Sequence, residues 1–236
     1  MNERATPVMR LLEFTDSAFP VGTFSFSEGL ETAAETGLVH DAATLGDYAR
    51  DIARRSAFTD GVAALCAFRA AVKGDYRTIA EADERVWLCR LNAESRTMTC
   101  RMGRKAAELA DRIMGDDNGL WNDIGRRRLA DMAAGRLRGT YPVTQATVFA
   151  ACGLSEYDLF CALLYGALNM VLSAALRCVR VSHYDTQRIL FDASADAGAL
   201  FDEASAMTLD EMNAFTPQAD ILASLHEKGS KRMFMN

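Results

Sequence analysis

At 236 residues, with 50% hydrophobic and 25% charged side chains, the chain has enough apolar material for one packed domain and an ordinary polarity. Its net charge of −6 and pI near 5.2 exclude the global basic field that holds nucleic acid. Only four prolines occur and no Pro/Ser/Gly-rich linker interrupts the chain, so residues 1–236 read as a single domain. Ala, Leu, Met and Arg are abundant while runs of Val, Ile and Thr are scarce, which makes helix the expectation throughout.

Asn2, Glu3 and Arg4 read as the lead into a short amphipathic helix carrying Met9 and Leu12, not as a secretory leader. Pro20 and Gly22 break helix, so this first helix is expected to end near Ala18. The stretch from Asp16 to Glu31 then mixes Phe19, Phe24 and Phe26 with Pro20, Gly22 and Gly29. A core helix does not take those breakers, and a solvated loop does not take those aromatics. The segment must therefore bury itself against the core or against a partner. A second helix is expected from Ser25 to about Thr36, closed by Gly37, with Ser25 and Ser27 as candidate N-caps.

From Thr44, the spacing of Leu45, Tyr48, Ala49, Ile52 and Ala53 predicts an amphipathic helix. Gly61 reads as a joint before a further helix ending at Lys73-Gly74. Residues 79–91 predict a helix with Trp87 inward. Met98, Met102, Ala106, Leu109 and Ile113 mark the buried face of the next one. Arg85, Arg90, Arg96, Arg101, Arg104 and Lys105 read as its solvated surroundings, as do Arg126, Arg127 and Arg128; the sharper alternative is a patch for an acidic partner. A loop is expected at residues 115–119, a helix from Trp121 to Ala134, and a turn at Gly139-Thr140-Tyr141-Pro142.

Between Leu159 and Leu176 no charge occurs, which reaches the lower edge of a membrane span. The capping pattern Ser155-x-x-Asp158, the polar Asn169 and Ser173, and the lack of flanking aromatic and basic belts argue instead for the central helix of an all-α domain. Ala162 and Gly166 offer room for another helix, and part of this surface is available to a second subunit. Helices are expected again at 182–190 and 208–225, the latter behind a second capping pattern, Thr208-x-x-Glu211. The segment from 227 is basic and then apolar: Met233, Phe234 and Met235 need burial in the fold or in a partner.

The sequence carries little recognisable chemistry. The six cysteines form no Cys-x-x-Cys pair and read as buried thiols of a reducing cytoplasm. His40, His183 and His226 are scattered, and His183 with Asp185 and Cys178 is a weaker reading than structural histidines. Neither a nucleophile elbow nor a phosphate loop is present. Asp116, Asp117 and Asp123 are the one acidic group with a magnesium-site flavour, against which an ordinary acidic loop is the simpler reading. No cofactor is expected. A binding or scaffolding protein fits better than an enzyme; the alternative is a helical metal-dependent enzyme built on that acidic loop.

The pattern Asp16-Ser17-x-x-Pro20-x-Gly22-x-Phe24-x-x-Ser27-x-Gly29-Leu30-Glu31 resembles the N-terminal signature of the UreF family of urease accessory proteins. Met102-Gly103-Arg104, Tyr141-Pro142-Val143, Gln187-Arg188-Ile189-Leu190 and the closing Arg232-Met233-Phe234-Met235-Asn236 extend the resemblance over nearly the whole chain. One departure is Val181-Ser182-His183-Tyr184, where many members carry Pro-Leu-Gly-Gln. The resemblance implies an all-α domain of about ten helices around a central apolar helix. It further implies a cytoplasmic homodimer without catalytic activity that binds UreD/UreH and brings the GTPase UreG to apo-urease for nickel insertion. Neither nucleic acid nor membrane is an expected partner. Phe24, Ser25, Ser27, Glu31, Arg232, Met233, Phe234 and Met235 are the partner-binding candidates, and Pro20, Gly22, Gly29 and Leu30 the structural motif. Residues 1–7 and 227–236 are expected to be flexible tails without a partner. An arginine acting on UreG's nucleotide is one version of that role, and pure scaffolding the simpler one.

Overall fold

The computed structural model describes residues 5–22, 26–213, 216–226 and 233–234. Among them there is no strand, and the architecture is all-α. Helix α1 spans Ala5–Thr15, and the short α2 spans Leu30–Glu35. Helix α3, Ala42–Ser56, starts at Asp41, whose carboxylate accepts from the Thr44 amide at 2.9 Å while the Thr44 hydroxyl turns back on the cap. The predicted joint at Gly61 is not a break. Helix α3 runs through a π-helical turn, Ala57–Gly61, into α4, Val62–Lys73. Gly61 has helical φ of −62°, and a Cβ there would lie 2.8 Å from Cε2 of Phe160. The glycine admits the central helix instead of ending its own.

Helix α5, Tyr76–Cys89, turns Ile79, Ala82 and Val86 inward. Trp87, expected inward, lies next to that stripe and is half-buried between the guanidinium groups of Arg96 at 4.3 Å and Arg138 at 3.9 Å from its ring centre. Helix α6, Ala93–Met114, buries Met98, Met102 and Ala106 as expected, but Leu109 is half-buried and Ile113 is exposed, because Ala110 takes over the inner face. Gly103 sits where a Cβ would come within 2.1 Å of the Gly139 carbonyl oxygen, so α6 lies tight against the entry to α8, Tyr141–Ala151.

A second π-helical turn, Trp121–Gly125, leads into α7, Arg126–Ala133. Two of its three arginines match the solvated reading in part: Arg126 pairs with Asp111 and Asp116, and Arg127 stacks 3.7 Å over Tyr76. Arg128 does not. It is 1% exposed, lies 3.5 Å from the fully buried Asp83, and donates to the Thr144 hydroxyl at 3.2 Å. Asp83 in turn accepts from the Gly139 amide at 2.9 Å and from the Thr140 amide and hydroxyl at 2.8 Å. This buried ion pair fastens α5 and α7 to the start of α8.

Helix α9, Glu156–Cys178, begins at the Ser155/Asp158 capping box and passes between the two main apolar clusters. Leu164, Leu168, Val171 and Leu172 enter one, while Leu159, Ala162 and Leu163 enter the other. Among the described residues it is the one helix long and apolar enough to cross a membrane, and 56% of its apolar window is buried inside the protein. The space at Gly166 is not filled by another helix among the described residues: none of their atoms lies within 4 Å of a Cβ placed there.

Helix α10, His183–Ser194, is capped by Ser182 and Asp185, and α11, Ala197–Ser205, follows without having been predicted. The single helix expected over 208–225 is divided. The Thr208/Glu211 box caps only a 3₁₀ turn, Leu209–Glu211, and α12, Pro217–His226, starts afresh on Pro217, a residue pre-set for a first helical turn.

Candidate functional site where the signature meets the C-terminal segment

The signature segment turns sharply at Glu28 and Gly29. Both have left-handed backbone, φ 55° and 81°, and the Leu30 amide closes the turn on the Ser27 carbonyl at 3.1 Å. Glu28 is a costly residue in that conformation, and the surroundings hold it there. Its carbonyl accepts from the Tyr48 hydroxyl at 2.6 Å, and its carboxylate pairs with Arg55 of α3. Arg55 also reaches Asp220 of α12 at 3.2 Å. Nearby, Arg90 donates to Asp60 at 2.7 Å. Burial pushes the Glu28 carboxyl up, but Arg55 and Arg90 outweigh it and hold the group below its ordinary value. Asp220 goes the other way: burial raises it more than Arg55 and Arg90 lower it.

Gly29 is required twice over. Its φ is left-handed, and a Cβ would lie 2.9 Å from the Ala219 carbonyl oxygen and 3.1 Å from the Ala223 nitrogen. Helix α12 thus lies with its backbone on the turn. Leu30, the next residue, is fully buried in the core beside Ala219 and Leu222.

Glu31, the residue after Leu30, is 3% exposed and receives the C-terminal segment. It accepts from the Met233 amide at 2.7 Å and the Phe234 amide at 3.1 Å, and lies 2.8 Å from Nε2 of His226. The other nitrogen of His226 is 3.4 Å from Glu94, so this is a satisfied core histidine held between two carboxylates. Burial raises the Glu31 carboxyl, while the Met233 amide, His226 and the Phe234 amide together bring it below its ordinary value. Phe234 is 5% exposed within the core cluster, with the Arg177 guanidinium 5.4 Å from its ring centre; Met233 is 60% exposed.

A carboxyl held low in the fold contributes stability that is complete above its ordinary range and fades as pH falls through the depressed value. Docking of Phe234 is therefore expected to persist at neutral pH and to weaken progressively as pH falls below the ordinary carboxylate range. Ring signals of Phe234 followed by NMR in an acid titration should lose dispersion before those of Phe149 and Phe160; a Phe234 that loses dispersion only together with those core rings would contradict the assignment.

The other predicted residues are dispersed around this junction. Pro20 and Gly22 lie on an exposed bend; Gly22 has φ 89°, and no atom of the described residues lies within 4 Å of a Cβ placed there. Phe19 stacks edge-on against Phe14 at 5.2 Å, and Phe26 is buried with Val21, Met98 and Met102. Ser27 is buried with its hydroxyl 3.5 Å from the Glu31 amide, a marginal cap; the N-cap position itself is Gly29. Phe24, Ser25, Arg232 and Met235 lie outside the described residues. Beneath the signature opens a groove of about 410 Å³, walled by Phe19, Met98, Met102, Tyr141 and Met170. Gln145, also in its wall, has a buried Oε1 without a hydrogen-bond partner.

In the acidic loop, Asp116 pairs with Arg126 at 2.6 Å. Asp185 is consumed by the α10 cap. No three His, Cys, Asp or Glu side chains among the described residues converge as a metal cage. All six cysteines are free, and burial pushes the thiols of Cys100, Cys152 and Cys178 up to about 11, away from nucleophilic character. The residues whose roles were not foreseen are Glu28, Arg55 and Asp220. Their signal was available only as charged residues on otherwise apolar faces.

These features define an all-α protein in which the last helix and the segment after it close over a Glu-Gly-Leu-Glu turn. The chain belongs to the UreF family, whose model matches residues 39–194. It is 39% identical over 232 residues to "Urease accessory protein UreF" of Yersinia pseudotuberculosis serotype IB (strain PB1/+), covering 98% of this chain and 99% of that one. It is 41% identical over 229 residues to "Urease accessory protein UreF 2" of Brucella canis, covering 97% of this chain and 92% of that one.

Proposed function

We propose that this protein is a non-catalytic, cytoplasmic urease accessory protein. It acts as a homodimer that binds UreD/UreH, bridges to the GTPase UreG, and supports nickel insertion into apo-urease. The observation that carries the reading is the near full-length similarity to relatives bearing that name. The junction adds a physical rationale for the partner-binding residues. Of those described, Ser27, Glu31 and Phe234 are buried and shape the surface, whereas Met233 is offered to a partner. Phe24, Ser25, Arg232 and Met235 complete the proposed contact set. UreG hydrolysis is either modulated by this chain or merely scaffolded, and the rate of UreG with and without it separates the two.

The test is co-expression with the cognate UreD/UreH, followed by size-exclusion chromatography of the full chain and of a chain truncated after Gly229. The full chain is expected to co-elute and the truncated one to lose the complex while keeping its helical signal. A well-folded full chain that forms no complex would overturn the reading.

A further inference from the structure

We propose that Glu31 is a positioning residue that sets whether the C-terminal segment is docked, and so whether Met233 is presented in a fixed place. The capture is unusual in what it reads. Among the described residues, the two hydrogen bonds the segment makes to Glu31 come from main-chain amides, Met233 at 2.7 Å and Phe234 at 3.1 Å, received by one carboxylate. A charged acceptor gives such bonds about twice the strength of neutral ones. Because the backbone is held, the side chains are released to separate tasks: Phe234 fills the core, and Met233 stands 60% exposed beside it. An exposed, flexible thioether next to a rigidly held turn suits an apolar pocket on a partner protein.

The carboxylate is also committed on its own side. His226, at the last turn of α12, lies 2.8 Å from the same oxygen that receives Phe234. The helix and the segment beyond it therefore share one receptor, and losing the receptor frees both. That sharing distinguishes Glu31 from Glu28, whose carboxylate reaches Asp220 of α12 through Arg55. The link to a partner rests on the accessory-protein reading above; the docking itself does not.

Glu31→Gln keeps the volume but removes the charge and leaves one acceptor oxygen, so an NH₂ group faces either the Met233 amide or the Phe234 amide and His226. In the free full-length protein, the Met233 and Phe234 amides are expected to exchange with solvent about tenfold faster in this variant. Amides of Val171 and Leu172 in α9 should exchange unchanged, which controls for folding. Unchanged exchange at Met233 and Phe234 would overturn the assignment. Binding to co-purified UreD/UreH is expected to weaken by a similar factor in Glu31→Gln. Met233→Ala should weaken binding while leaving exchange at Phe234 as it is. Faster exchange with undiminished binding would overturn the positioning role. If the unmodified chain forms no complex at all, the accessory reading fails, and the exchange result still decides whether Glu31 holds the segment.

Discussion

Asp83→Ala is expected to cost about 3–5 kcal/mol, the range found when one partner of a buried charge pair is removed. Asp83 is fully buried, and its carboxylate receives the Gly139 amide together with the Thr140 amide and hydroxyl. Alanine would orphan these donors. It would also strand the Arg128 guanidinium in the interior, where its Nη1 already lacks a partner. Urea unfolding followed by circular dichroism measures the effect as a lowered midpoint. The double variant Asp83→Ala/Arg128→Met should recover part of the loss, because it removes the stranded charge. A double variant no more stable than the single one would show that charge burial is not the main cost.

The second large effect is expected at Gly29→Val, and it should be local. A side chain forced into left-handed backbone costs about 1–2 kcal/mol. Overpacking adds about 1–3 kcal/mol. Here the obstacle is the Ala219 carbonyl, 2.9 Å from the new Cβ, and backbone cannot swing aside as a long side chain can. Helix α12 is therefore expected to lift off the signature, exposing 216–226 to proteolysis while α9 stays protected. Gly22→Val is the control. Its φ of 89° is equally left-handed, but no atom of the described residues lies within 4 Å of its Cβ, so the backbone cost is the one expected there. Equal protease sensitivity in the two variants would refute the packing argument.

How much of this was legible from residues alone differs by feature. Helix starts that depend on neighbours within one turn were readable, as at Ser155/Asp158. So was α3, whose apolar spacing carries its own explanation. Misreadings came where the deciding partner is remote in sequence. Arg128 sits in a visibly basic triplet, yet its place is set by Asp83 on another helix. Trp87 is held by Arg138, distant in the chain. Gly61 looked like a breaker because Phe160, the ring it admits, does not announce itself. Helix α11 is short and lacks a side-chain cap, so no local signal marks its start. The signature was recognisable as a pattern with unexplained aromatics. That Glu31 answers to Phe234, 203 residues later, is written in no local spacing.

That separation has a consequence for how the molecule comes into being. Glu31 and His226 are 195 residues apart, so a ribosome adding 5–20 residues per second makes the second about 10–40 s after the first. For the later part of that interval the signature has cleared the ribosome with its acidic turn uncovered. The intervening helices have time to assemble first, and α12 arrives as a lid on a body already built. A nascent chain stalled before His226 should therefore display the Glu28–Glu31 turn to any chaperone that patrols the exit tunnel, and completion of translation would hide it.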